Sequence, residues 1–232
     1  MKTLTRDQLT LSGFAGIVEH RFVTDSRLFG SRKSKETSEG LGNFVYLADA
    51  VYNPLGESGM HPHSEIDVIS IILDGRVSHE GSMEHGKDLV AGDVQVQRAG
   101  GEGFDHNEIN PDDQNNRMLQ IWALPETKGE PAAYKAYRPA QQGVTRIYGG
   151  DKNQTDTFDS HTIIDVVNLT AGDTMALPNE SVVYVTKGQA TFNEKANSEK
   201  VFSGQDGSLI RGTDLEVTVT DDVNMVVVSH GA

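Results

Sequence analysis

His61-Pro62-His63 and His106-Asn107-Glu108 are the residues of this chain whose types and spacing are best suited to chemistry. Side chains alternate along a β-strand, so His-x-His turns both rings to one face and His-x-Glu turns a ring and a carboxylate to one face. Two such strands side by side present three imidazoles and one carboxylate to a common point. That donor set suits a borderline divalent metal, with iron(II) expected first and manganese, nickel or zinc as alternatives. His61, His63, His106 and Glu108 are therefore the expected metal ligands. Glu108 is also the expected catalytic group, since a carboxylate beside the metal is placed to move a proton. Such a set leaves open positions on a six-coordinate ion, enough for a catecholate- or enolate-like substrate together with dioxygen.

The other histidines lack that spacing. His79 and His85 flank a hairpin and are expected at the surface, and His20, His161 and His230 lack metal-ligand spacing to another histidine or acid and are expected to be structural or exposed. Asp67 shares strand parity with His61 and His63, which makes it a candidate acceptor for an imidazole N–H. Trp122, the single tryptophan, lies in an apolar run and is expected in the core. Gly100-Gly101-Glu102-Gly103 lacks a following Lys-Ser/Thr and a helix, so it is no phosphate loop; its glycines are expected to let backbone pass close to the metal mouth.

The elements that must position these residues are strands. Short β-patterned runs at 43–48, 65–73, 76–80, 94–97 and 117–124 are separated by turn signals, including Asp74-Gly75 and Ala91-Gly92-Asp93. Residues 94–97 alternate apolar with polar. The pattern resumes at 161–169, 181–186, 215–219 and 225–228, with a second Ala-Gly-Asp at 171–173 and a turn expected at Lys187-Gly188. The repetition predicts an all-β chain of two antiparallel jelly-roll barrels. The expected division is an N-terminal barrel over 1–125 carrying the metal site, a proline-bearing connector over 126–143, and a C-terminal barrel over 144–232 without ligands. A short helix, if there is one, is expected in the connector.

Composition narrows the function. The chain has 232 residues and no cysteine, which excludes disulfides, thiolate ligands and cysteine nucleophiles. Its formal net charge is −14, which sets it against polyanions, so no direct nucleic-acid partner is expected. No apolar run is long enough to span a bilayer, and residues 1–6 lack the apolar core of a signal peptide. A cytoplasmic monomer is the expectation, since two barrels in one chain can pack on each other.

Taken in order, His61-Pro62-His63, Asp74-Gly75, His79-Glu80-Gly81-Ser82, Gly92-Asp93-Val94-Gln95, Ala99-Gly100-Gly101-Glu102-Gly103 and His106-Asn107-Glu108 resemble the pirin family. The resemblance covers most of residues 10–125. It implies a bicupin with a metal in the first barrel, held by His61, His63, His106 and Glu108. It also implies quercetin 2,3-dioxygenase activity on a flavonol or related small aromatic, with ring opening and release of carbon monoxide. The alternative it implies is a non-catalytic metal- and redox-sensing regulator acting through protein partners. The chain departs from the family where Arg-Gly-Phe-Glu usually follows His-Pro-His; here Ser64-Glu65-Ile66-Asp67 stands. Glu102 and Asp105 add further acid, and these groups are expected to alter the metal or substrate preferred.

Overall fold

A computed structural model describes residues 1–231 of the chain, with residues 197–200 described by backbone alone. The strands are β1 (Lys2–Thr5), β2 (Ser12–Phe14), β3 (Ile17–Thr24), β4 (Phe44–Tyr52), β5 (His61–His63), β6 (Asp67–Asp74), β7 (Arg76–Gly81), β8 (Lys87–Val90) and β9 (Val94–Arg98). They continue with β10 (Phe104–Ile109), β11 (Asn116–Ala123), β12 (Ala133–Tyr137), β13 (Gly143–Gly150), β14 (Ser160–Leu169), β15 (Thr174–Glu194), β16 (Asn197–Gln205) and β17 (Ser208–His230). The expected all-β architecture is what forms. No helix among the described residues is long and apolar enough to cross a membrane.

The chain divides into two compact units, Leu9–Arg138 and Met1–Gln8 with Pro139–Ala232. The first holds a seven-stranded sheet in the order β12-β9-β6-β11-β4-β3-β2 and a four-stranded sheet in the order β5-β10-β7-β8. β6 sits between β9 and β11, and its run from Asp67 to Ile72 is buried on both faces. That explains its nearly continuous apolar sequence, which is the pattern of an interior strand. Tyr52, Ile72, Val77 and Met118 form one core cluster, and Val45, Ile66, Val68 and Phe104 another. Each such side chain removed from water contributes about 1.5–3 kcal/mol.

The second unit is one sheet ordered β13-β14-β17-β15-β16, with β1 pairing β17. Its core gathers Val183, Phe192, Ile210, Val217, Met225 and Val227. β15 and β17 are long and bent, so that Val183 pairs with both Ile210 and Val227.

Three expectations differ from this arrangement. Lys2–Thr5 pairs with Arg211–Ser208 rather than joining the first barrel, because its backbone satisfies the edge of β17. The connector is not helical: within it β12 pairs antiparallel with β9, Tyr134 opposite Gln97. The described α-helix, α1 (Ser26–Phe29), lies elsewhere and is capped by the Asp25 carboxylate, which accepts from the Arg27 N–H at 2.9 Å. Finally, Lys187-Gly188 does not end a strand. Gly188 has φ +76° and sits where the register of β15 shifts, a bulge that bends the strand and lets it continue.

A Cβ at position 188 would lie 1.8 Å from the Asp222 carbonyl oxygen. Gly188→Ala is therefore expected to cost more than the roughly 1–2 kcal/mol of left-handed strain alone. A lowered denaturant midpoint checks this; an unchanged one rejects the bulge as a constraint.

Candidate metal centre

β10 carries one half of the cluster and β5 the other. They pair antiparallel with Phe104 opposite His63, Asp105 opposite Pro62 and His106 opposite His61. Strand parity then places His61, His63 and His106 on one face, as the spacing predicts. The ring centroids lie 4.9 Å apart for His61 and His63, 4.6 Å for His61 and His106, and 4.9 Å for His63 and His106. One nitrogen from each ring falls within 4.8 Å of the others. The close approach of β5 and β10 needs Gly103: φ is +75°, and a Cβ there would sit 2.7 Å from the His63 carbonyl oxygen. The glycine run thus does bring backbone close beside a ligand strand.

The tautomers follow from the hydrogen bonds. His61 Nδ1 lies 2.7 Å from the Gly59 carbonyl oxygen, and His106 Nδ1 lies 3.1 Å from Gln97 Oε1. Both partners only accept, so both Nδ1 atoms carry the hydrogen and both Nε2 atoms present a lone pair. His106 Nε2 stands 3.1 Å from His61 Nε2 and 3.2 Å from His63 Nε2. Lone pairs so close repel unless a cation lies among them. Ligands at right angles around a metal at 2.0–2.1 Å are about 3.0 Å apart. The residues therefore fit a divalent ion.

Burial sets the charge state. Desolvation, then the neighbouring imidazoles of His106 and His61, push His63 down to about 3. Desolvation, then His61 and His79, push His106 down to about 3. Both rings are neutral at physiological pH and available as donors.

Glu108 lines the same cleft, 2% exposed, but its carboxylate is engaged on the facing sheet. Oε1 accepts from Ser70 Oγ at 2.7 Å and Gln95 Nε2 at 2.9 Å, and Oε2 accepts from the Tyr52 hydroxyl at 3.2 Å. Desolvation and then Glu108 hold the Tyr52 hydroxyl well above its ordinary pKa, so it stays a donor. The structure thus brings three of the four expected residues to one point and sets the fourth beside them. Ser58 links the site to the loop before β5: its hydroxyl accepts from the Glu108 N–H at 3.0 Å and donates to Asn107 Oδ1 at 3.2 Å.

Several neighbours stand where the sequence did not put them. His79 is fully buried, its ring 5.6 Å from that of His106, because the β7–β10 register sets it opposite Glu108. His85 is exposed, as expected. Asp67 is buried beside Arg98, at 3.7 Å, and Gln97 is the partner of the His106 imidazole. The extra acids also point away from the histidines: Glu65 accepts from the Gly129 N–H and Glu102 from the Ala132 N–H. Trp122 is a wall of the cleft, paired across strands with Tyr46 at 4.3 Å between centroids, nearly parallel to Phe29 at 6.5 Å, and edge-on to His63 at 5.7 Å. The cleft spans roughly 600 Å³ when the solvent-open space at its mouth is included.

A two-sheet β unit with clustered histidines inside, followed by a second β unit, defines the class as a bicupin. Residues 27–123 match the profile of the pirin family, which this part of the chain resembles. It is 27% identical over 178 residues to a pirin-like protein of Caulobacter vibrioides, covering 72% of this chain and 75% of that one. It is 34% identical over 95 residues to quercetin 2,3-dioxygenase of Escherichia coli K12, covering 40% of this chain and 41% of that enzyme. The bacterial pirin YhhW of Escherichia coli, solved in complex with nickel(II), shares the fold at a TM-score of 0.82 with 18% identity, over 100% of this chain and 99% of that one.

The pH dependence of the metal-free protein has a definite sign. Unfolded imidazoles bind a proton near pH 6.5, whereas folded His63 and His106 resist it until about pH 3. Acid therefore favours the unfolded chain, and stability falls as pH drops from 6.5 toward 3. Unfolding midpoints across that range are expected to slope less steeply for the double variant His63→Gln, His106→Gln; an identical slope would refute the assignment.

Proposed function

We propose that this chain is a metal-dependent dioxygenase of the quercetin 2,3-dioxygenase kind, acting on a flavonol or a related small aromatic. The observation that carries the reading is the convergence of three imidazole nitrogens in a cleft walled by stacked aromatic rings. His61, His63 and His106 would hold the ion, with iron(II) first in expectation and nickel, manganese and zinc as alternatives. A divalent metal bound there supplies a Lewis acid with open positions and a path for electrons between an enolate substrate and dioxygen.

The protein's own groups prepare that reaction. Phe29, Tyr46 and Trp122 offer a stacked aromatic wall against which an aromatic substrate packs. Glu108 is the base that takes the substrate's hydroxyl proton, and a fourth ligand if it releases its present donors. Tyr52, Ser70 and Gln95 fix its orientation. The relatives that bear the dioxygenase name support catalysis over the alternative of a purely regulatory protein.

Elemental analysis after reconstitution is expected to find one metal per chain, and His61→Ala and His106→Ala are each expected to weaken uptake at least tenfold. With quercetin, oxygen consumption should be matched by carbon monoxide release. Glu108→Gln should keep the metal and lose about 10²–10⁴-fold in kcat. Turnover with none of the four metals would sink the reading, and loss of metal from Glu108→Gln would make that residue a ligand rather than a base.

A further inference from the structure

Arg21 is the one lysine or arginine among the described residues lining the histidine cleft. It stands two residues after Glu19 on β3, so both side chains share a face. Glu19 is 3% exposed; its Oε1 accepts from Arg21 Nε at 2.6 Å and its Oε2 from the Tyr46 hydroxyl at 3.0 Å. The buried carboxylate is thereby neutralised, and the guanidinium is held in one orientation. Yet 40% of the Arg21 side chain remains exposed. A guanidinium has five N–H donors in a planar fork, and Nε accounts for one of them.

The strand register locates this fork relative to the histidine end. Arg21 pairs with Ala48, Ala48 with Gln120, Gln120 with Ser70, and Ser70 with Gln95. Ser70 and Gln95 hold Glu108 at one end of the row, and Arg21 closes the other. Ala48, the residue between Gln120 and Arg21 in this row, carries only a methyl. With neighbouring strands about 4.8 Å apart, the backbone distance is about 10 Å from Gln120 to Arg21 and about 14 Å from Ser70 to Arg21. That is the span of a flat aromatic of two or three rings. The stacked wall of Tyr46, Phe29 and Trp122 has the chemistry to cover such a ligand.

We propose that Arg21 determines substrate specificity, donating hydrogen bonds to an acidic hydroxyl or carboxylate oxygen on the ring farthest from the histidines. The substrate class is then polyhydroxylated or acidic flat aromatics, in preference to unsubstituted ones. The inference rests on the flavonol reading above and goes beyond it in assigning the far end of the ligand. Glu19 and Tyr46 act through Arg21 and are positioning residues.

Trp122 is the chain's single tryptophan and lines this cleft, so its fluorescence reports occupancy. The full chain, loaded with nickel(II), is titrated with quercetin and with 3-hydroxyflavone, which keeps the chelating hydroxyl–ketone pair but lacks the other hydroxyls. Arg21→Gln, whose amide still donates to Glu19, is expected to weaken quercetin about tenfold or more, as for loss of a hydrogen bond from a charged donor. Affinity for 3-hydroxyflavone should stay within about twofold, with metal content unchanged. Arg21→Lys, which keeps the charge and loses the fork, should fall between. Equal weakening of both compounds, or of neither, overturns the assignment and leaves Arg21 as the counter-ion of Glu19. If the parent protein binds neither compound, the flavonol reading itself fails and this inference with it.

Discussion

The antiparallel register of β10 is the constraint on which the rest depends. With His106 opposite His61, and Glu108 opposite His79, one strand delivers a ring to its neighbour on one side and a carboxylate toward the facing sheet. A slip of one residue would reverse every side chain on β10 and remove both groups from the cleft at once. The register is secured on both sides of the strand, by β5 and β7, and at its approach by Gly103 against the His63 carbonyl. The loop before β5 reinforces it through Ser58 and Asn107.

Charge inside the cleft is managed separately from charge outside. The formal net charge is −14, yet the two carboxylates that line the cleft, Glu19 and Glu108, are each met by donors. The imidazoles of His63 and His106 are kept neutral by burial and by the neighbouring rings. A divalent ion entering such a place meets lone pairs that need not first shed protons, and finds the nearest acid already held in a fixed direction.

Much of this was legible in the chain itself. The paired motifs at 61–63 and 106–108 announced a shared face because the period of a strand is two, and turn residues such as Asp74-Gly75 marked the strand ends. What could not be read was everything that depends on which sheet faces which. Residues 94–97 alternate apolar with polar, which does not reveal that Gln95 and Gln97 are fully buried and serve Glu108 and His106. His79 looked peripheral because its partner lies across the β7–β10 ladder, 29 positions on, and nothing local signals that pairing. Trp122 looked like core because an apolar strand that walls a cleft has the same sequence as one that fills a barrel. Glu65 and Glu102 sat near the ligands in sequence, but turn conformations send them to the 129–132 segment instead.

The pairing of Lys2–Thr5 with Arg211–Ser208 gives the chain an order of assembly that its length would not suggest. Residues 2–5 wait for residues 208–211 before their backbone is satisfied, while the histidine-bearing unit has all its strands by residue 138. A truncation beginning after the metal-site unit would strip β17 of that neighbour and leave a run of bare N–H and C=O groups. Such an edge recruits any extended chain that meets it. The separated C-terminal half would thus be prone to self-association, a liability that the opening few residues remove.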